Sequence, residues 1–180
     1  YRVDVNLTDN EGYRDESDYS RVSSTIRFDS KVKSKTNVKT IFSYNHINQS
    51  GVSSLEANDY RNNPTENFYH NDVARREVNA LRLSSEFAYV KDANTLYTIT
   101  PFVRHNKMKL MPSWMLSYDP NDRDYNFSSF GFLTKYRTKI ADKKLEFITG
   151  LDVDYTPSKY KEIEISTTQS GDIYTSTTAT

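Results

Sequence analysis

The sequence predicts an all-β chain, an antiparallel up-and-down sheet that forms part of a transmembrane β-barrel. Three observations predict it. Apolar and polar side chains alternate through segment after segment, which is the period of a strand with two unlike faces. The connections between those segments alternate strictly between long and short. The hairpin from Leu81 to Val103 has strands that outrun the five or six residues usual in globular proteins and suit the ~9–11 of a tilted bilayer-crossing strand.

Composition bounds the alternatives. Of 180 residues, 36% are hydrophobic, and that class includes 14 Tyr, so aliphatic content is low. A polar disordered chain tolerates this, and so does a β-protein whose alternate residues face water. The aromatic share of 13% and the period-two segments favour the second. Lys and Arg number 24 against 24 Asp and Glu, which argues against nucleic acid as a partner. No cysteine occurs, so disulfide scaffolds, Cys-ligated zinc and thiol catalysis are excluded. No run of about 18 apolar residues exists, which excludes a membrane helix but not a barrel. Tyr1 to Leu7 is strand-like, with neither an initiating Met nor a leader, and reads as part of something longer.

In order, Tyr1, Val3, Val5 and Leu7 share the first strand face. Val22, Ser24, Ile26 and Phe28 oppose Arg21, Ser23, Thr25 and Arg27 in the second, and Val38, Thr40, Phe42 and Tyr44 form the third. Leu81, Leu83 and Phe87 lead into a turn at Lys91 to Asn94, followed by Tyr97, Ile99 and Val103. Phe130 and Phe132 mark a sixth strand, and Leu145 to Tyr155 is the cleanest alternation of all. Past Thr156 the chain is Ser/Thr-rich and is expected to be loop or frayed end. The seven strands leave connections at 8–18, 33–37, 48–76, 91–94, 106–126 and 140–144. Antiparallel order puts every second connection at the same end. All long loops therefore gather on one side, as extracellular loops do in an outer-membrane barrel, and the tight turns on the periplasmic side.

The faces agree with that reading. Leu81, Leu83, Phe87, Ile99, Val103, Phe130, Phe132, Leu145, Phe147, Leu151 and Val153 would meet lipid. Arg27, Asp29, Lys39, Arg82, Glu86, Arg104, Lys135, Glu146, Asp152 and Asp154 would face a wet lumen. Tyr89, Tyr97 and Tyr136 sit where a periplasmic aromatic girdle is expected, with Tyr44 and Tyr155 toward the opposite one. Pro101 inside a strand, and Ile41, Phe102, Leu133 and Ile148 on the aqueous face, run against the pattern. Ile41, Phe102, Leu133 and Ile148 would pack against a lumenal plug or loops, and a soluble β-sandwich with two half-buried faces accounts for these four equally well.

With the strands placed, Thr98-Ile99-Thr100-Pro101-Phe102-Val103-Arg104-His105-Asn106-Lys107-Met108-Lys109-Leu110-Met111-Pro112 resembles a strand-to-loop stretch of TonB-dependent outer-membrane receptors. Gly150-Leu151-Asp152-Val153-Asp154-Tyr155 is similar to that family's Gly-hydrophobic-Asp strand. The resemblance covers about Phe42 to Tyr160. It implies a 22-stranded barrel in the bacterial cell outer membrane, plugged by an N-terminal domain, energised through TonB, and importing a scarce nutrient such as a ferric siderophore. Residues 1–180 would then be a partial barrel domain, with the plug and the remaining strands outside it. No TonB box, plug or final aromatic-ended strand is present in the sequence, so this piece would supply wall and loops only.

Candidate ligand contacts concentrate in the second long loop. Met108, Met111, Trp114, Met115, Tyr118 and Tyr125 are a heavy apolar load for a wet connection. They would line a site for a chelate, with Arg104, Lys107 or Arg123 meeting its charge and His105 close by. The alternative is that they pack the loop onto its neighbours. Three Met suggest copper only weakly without a Cys or His set. His46, His70 and His105 read more simply as isolated surface histidines, and Glu56, Asp59 and Asp72 match no calcium-loop spacing. No catalytic motif or cofactor-binding motif occurs, so no enzyme activity is expected. The competing functions are a soluble carbohydrate-binding β-sandwich and a plain outer-membrane porin.

Overall fold

The computed structural model describes residues 1–70, 72–140, 144–168 and 173–178. They build one antiparallel sheet from β1 (Arg2–Asn10), β2 (Tyr19–Lys33), β3 (Thr36–Ser50), β4 (Arg75–Val90), β5 (Thr95–Leu110), β6 (Asn121–Ile140), β7 (Leu145–Thr149), β8 (Asp152–Tyr155), β9 (Ser158–Thr167) and β10 (Ile173–Thr178). One short helix, α1 (Ala57–Asn62), lies between β3 and β4. Each strand from β1 to β6 pairs with the next in sequence, and β9 and β10 continue the sheet beyond β6. This is the expected up-and-down order.

The register carries the apolar rows across the whole width. Val3, Ile26, Phe42, Leu83, Val103, Phe130 and Tyr155 are successive cross-strand partners. A second row joins Tyr89, Tyr97 and Tyr136, whose rings stack at centroid distances of 6.3 and 5.0 Å beside the short turns. Phe28, Val103 and Phe130 each remain more than half exposed, so this face has no protein cover. Among the described residues only Ala74, Phe102, Met111 and Ile165 are buried apolar side chains. A two-sheet sandwich would bury one face of every strand against a second layer. The described strands form a single layer.

Several boundaries differ from the sequence-based expectation. β5 runs on to Leu110 and β6 begins at Asn121, so the connection expected over 106–126 shrinks to 111–120. Beyond Thr156, expected to be loop or frayed end, Ser158–Thr167 and Ile173–Thr178 are strand, with β9 paired to β6 and β10 to β9, and 169–172 and 179–180 lie outside the described residues. At the start of β6, Asn121-Asp122-Arg123-Asp124 puts polar side chains on both faces, so the alternation that betrays a strand is lost while backbone pairing continues; Lys107 to Leu110 and Glu162 to Ile165 do alternate, in runs too short to stand out from the polar sequence beside them. The seventh strand, expected unbroken over Leu145 to Tyr155, is interrupted as β7, β8 and β9, yet all three keep one register on β6. At the first interruption the Thr134 hydroxyl takes over the ladder, bonding Leu151 N and O at 2.8 Å each. At the second, Pro157 has no N–H to offer.

The exceptions to the alternation have local explanations. Along the β4–β5 ladder, Ser85 and Glu86 find no partners opposite Thr100 and Pro101, whereas Pro101 pairs normally with Phe132 on the other side. The missing proline donor thus falls on the β4 side. Phe102 is buried on the charged face because its partner Gly131 has no side chain: a Cβ there would come within 3.0 Å of the Phe102 ring and 2.0 Å of Val153 O. Leu133 and Ile148 stay exposed on that face. The turn expected at 140–144 lies mostly outside the described residues. In the short turn between β4 and β5, Asn94 N donates to Asp92 Oδ1 at 2.9 Å and holds that carboxyl below its ordinary pKa.

Candidate functional site at the long-loop end

Three connections, 11–18, 51–74 and 111–120, knit into one folded cap. Arg14 crosses from the first to the second, its guanidinium donating to the carbonyls of Ser53 and Glu66 and to Ser53 Oγ. Asp15 N donates to Thr65 O at 2.7 Å, and Asn67 Nδ2 bridges to Asp15 O and Gly51 O. The Ser50 hydroxyl donates to Asp18 at 2.6 Å. Polar side chains that look like solvated loop in the sequence are thus used as cross-links between loops.

The third connection is attached through apolar contact. Met111, Ala74 and Ile165 form a small buried cluster against which Tyr69, Val73, Trp114, Leu116 and Ile173 pack. Trp114 sits over Gly51, where an added Cβ would fall 2.4 Å from the indole. Its backbone holds φ at 58°, the left-handed region that bulky residues avoid. Such strain persists only where surrounding contacts impose it.

Between loops 51–74 and 111–120 lies a pocket of ≈ 350 Å³. Its lining includes Ser53, Phe68, Tyr69, His70, Met111, Trp114, Met115 and Leu116. The chemistry is aromatic and thioether with a few hydroxyls, and His70 is the one lining residue able to carry positive charge. Of the residues expected at the site, the structure brings Met111, Trp114 and Met115 together here. Met111 is fully buried and shapes the floor of the cluster, while Met115 stays 43% exposed. Tyr118 is 82% exposed and does not line the pocket.

The other expected contacts lie on the sheet. Arg104 stands on the charged face, paired with Asp154 and 5.6 Å from the Phe102 ring centroid. His105, its neighbour, points to the opposite face, where Nδ1 meets Ser128 Oγ at 2.9 Å. Arg123 is no longer a loop residue: it pairs in register with Leu110 and Glu162, and its guanidinium holds Glu162 at 3.1 Å and Asp119 at 3.0 Å. The Glu162 hydrogen bond raises the Arg123 pKa further, so this cation is occupied. Nearby, burial lifts the Asp122 carboxyl above its ordinary pKa, with Lys109 at 3.9 Å offsetting part of that.

Sequence reasoning missed Phe68, Tyr69 and His70 as pocket-forming. An aromatic pair inside a polar connection was the available signal. It also missed a second concavity on the charged face, lined by Ser43, Asn45, Arg82, Arg104, Asn106 and Phe127 among others. Among the described residues no group of three His, Cys, Asp or Glu is placed to hold a metal ion.

No family model matches the sequence, and no curated protein matches it. Among solved structures the chain is similar to the crystal structure of the ferric citrate transporter FecA in the unliganded form. The TM-score is 0.68 at 12% sequence identity, over 93% of this chain and 25% of that one. The chain therefore spans a quarter of the length of that structure. At this identity the likeness concerns the fold alone, which is that of an antiparallel up-and-down β-barrel sector.

Proposed function

We propose that the chain is a sector of a TonB-dependent receptor in the bacterial outer membrane, which binds and imports a scarce nutrient, with a ferric siderophore as the leading ligand class. One observation carries the reading. A single-layer sheet shows an uncovered apolar belt on one face and charged side chains on the other, and its long connections are folded at one end only. Hydrocarbon accepts the first face, a wet lumen the second, and closure by further strands removes the open edges. The cap pocket is the initial docking place, and the role is binding and transport without catalysis. Energised release would belong to a plug region coupled to the TonB complex. An upstream plug domain in the full protein would rule out the porin alternative.

The test replaces residues 112–119 by a two-residue turn in the full protein and follows iron-limited uptake of ferric chelates by intact cells. Loss of one chelate's uptake, with the variant still present in the outer membrane, supports the reading. Uptake unchanged for every chelate removes the cap from it, and recovery of the protein in the soluble fraction overturns it.

A further inference from the structure

We propose that the charged face of β4 and β5 carries an oxyanion-binding subsite built on Arg82 and Arg104, apart from the cap pocket. The inference rests on the reading that this face lines a water-filled lumen, and it deepens that reading by naming the charge of what passes along it.

The register sets Arg82 directly opposite Arg104. Like charges in that position repel and destabilise the pair. The carboxylates nearest in the ladder are already engaged: Asp154 by Arg104 and Glu86 by Lys39. Asp152 stands one row beyond Asp154, beside Leu133. Arg104 gives its Nη2 to Asp154 while its buried Nε–H has no partner among the described residues. Two cations thus face each other across β4 and β5, and the carboxylate that Arg104 holds stands on β8, on the side of Arg104 away from Arg82.

A groove of ≈ 510 Å³ opens at this level. Ser43 shares the arginine row, and Asn45 and Asn106 occupy the next row toward the cap. Guanidinium forks, amides and a hydroxyl are all hydrogen-bond donors, and the forks match the two oxygens of a carboxylate or phosphate. A neutral or cationic solute would leave the repulsion in place. An oxyanion seated between the arginines removes it.

The experiment uses the full protein in detergent micelles, with inorganic phosphate as the probe and sodium chloride at matched ionic strength as control. Phosphate, and not chloride, raises the unfolding temperature of the wild type. Arg82→Gln weakens phosphate binding by about tenfold, the share of one charge-assisted contact, and raises the unfolding temperature of the phosphate-free protein because the repulsion is gone. Arg82→Lys, which keeps the charge and loses the fork, falls between in affinity and serves if the Gln variant does not fold. Equal phosphate affinity in wild type and variant, or a phosphate-free Arg82→Gln protein less stable than wild type, overturns the subsite. Insertion of the wild type into lipid vesicles, read by heat-modifiable gel mobility, is scored separately. Insertion without a phosphate effect sinks the subsite alone, and failure to insert sinks the lumen reading.

Discussion

Trp114 is the single tryptophan of the sequence, and its place over Gly51 makes it a reporter of the cap. Gly51→Val puts side-chain atoms where the indole lies. Overpacking of this kind costs about 1–3 kcal/mol, and the cost falls on the cap and not on the sheet. The expected result is red-shifted tryptophan emission and faster proteolysis within 51–74, with the β-sheet circular dichroism unchanged. Asp122 gives a pH prediction with a defined sign. Burial raises its folded-state pKa, so the folded protein holds the proton more tightly than the unfolded chain. Stability contributed by this group is therefore present below the ordinary carboxylate pKa and is lost as pH rises through the raised value. Asp122→Asn removes that loss, and its unfolding midpoint exceeds the wild type's at neutral pH but not in acid. At this scale the sequence exposed the unusual content of the loop, since Met and Trp are conspicuous among polar residues. It placed Arg104 on the charged face but not the Asp154 it pairs with, and it did not place His105 on the opposite face or Arg123 in a strand: a cation's partner, Glu162 for Arg123, comes from a distant strand.

The strands were legible wherever their two faces meet different surroundings over a long run, as in Leu81 to Tyr89, and illegible where both faces are polar, as in Asn121 to Asp124, or where the alternation lasts only four residues, as in Lys107 to Leu110. Backbone hydrogen bonds pair such segments without regard to side-chain alternation, and no local pattern announces them. The central apolar row is the part of each strand that a bilayer would hold. Leu83→Arg, flanked in register by Phe42 and Val103, is expected to cost ~2–4 kcal/mol in folding into vesicles, as cations do at the midplane of a lipid face. Denaturant titration of vesicle-bound protein checks it, and a loss below half a kcal/mol would remove lipid from that face. Pro101→Val restores a donor toward β4, where Ser85 has no ladder partner on β5. A gain of roughly 1 kcal/mol and one newly protected amide in hydrogen exchange are expected.

At the scale of the molecule, an extended sheet with one greasy face is unstable in water unless something covers that face. The prediction is that the full protein, closed by its further strands, folds cooperatively in micelles or vesicles and aggregates without them; a monomeric, detergent-free preparation of it would defeat the membrane reading. The sequence by itself determined the class of the fold, because alternation and the ordering of long and short connections are local properties that survive without coordinates. It also determined that the second long loop is apolar. The tertiary structure alone decided that the loops are tied into one cap by Arg14 and Asn67, that Met111 is buried floor and Tyr118 bare surface, and that Arg82 faces Arg104. Those facts depend on cross-strand register and on contacts between loops far apart in the chain, and a pattern read along one segment carries no information about which residue stands opposite on the next.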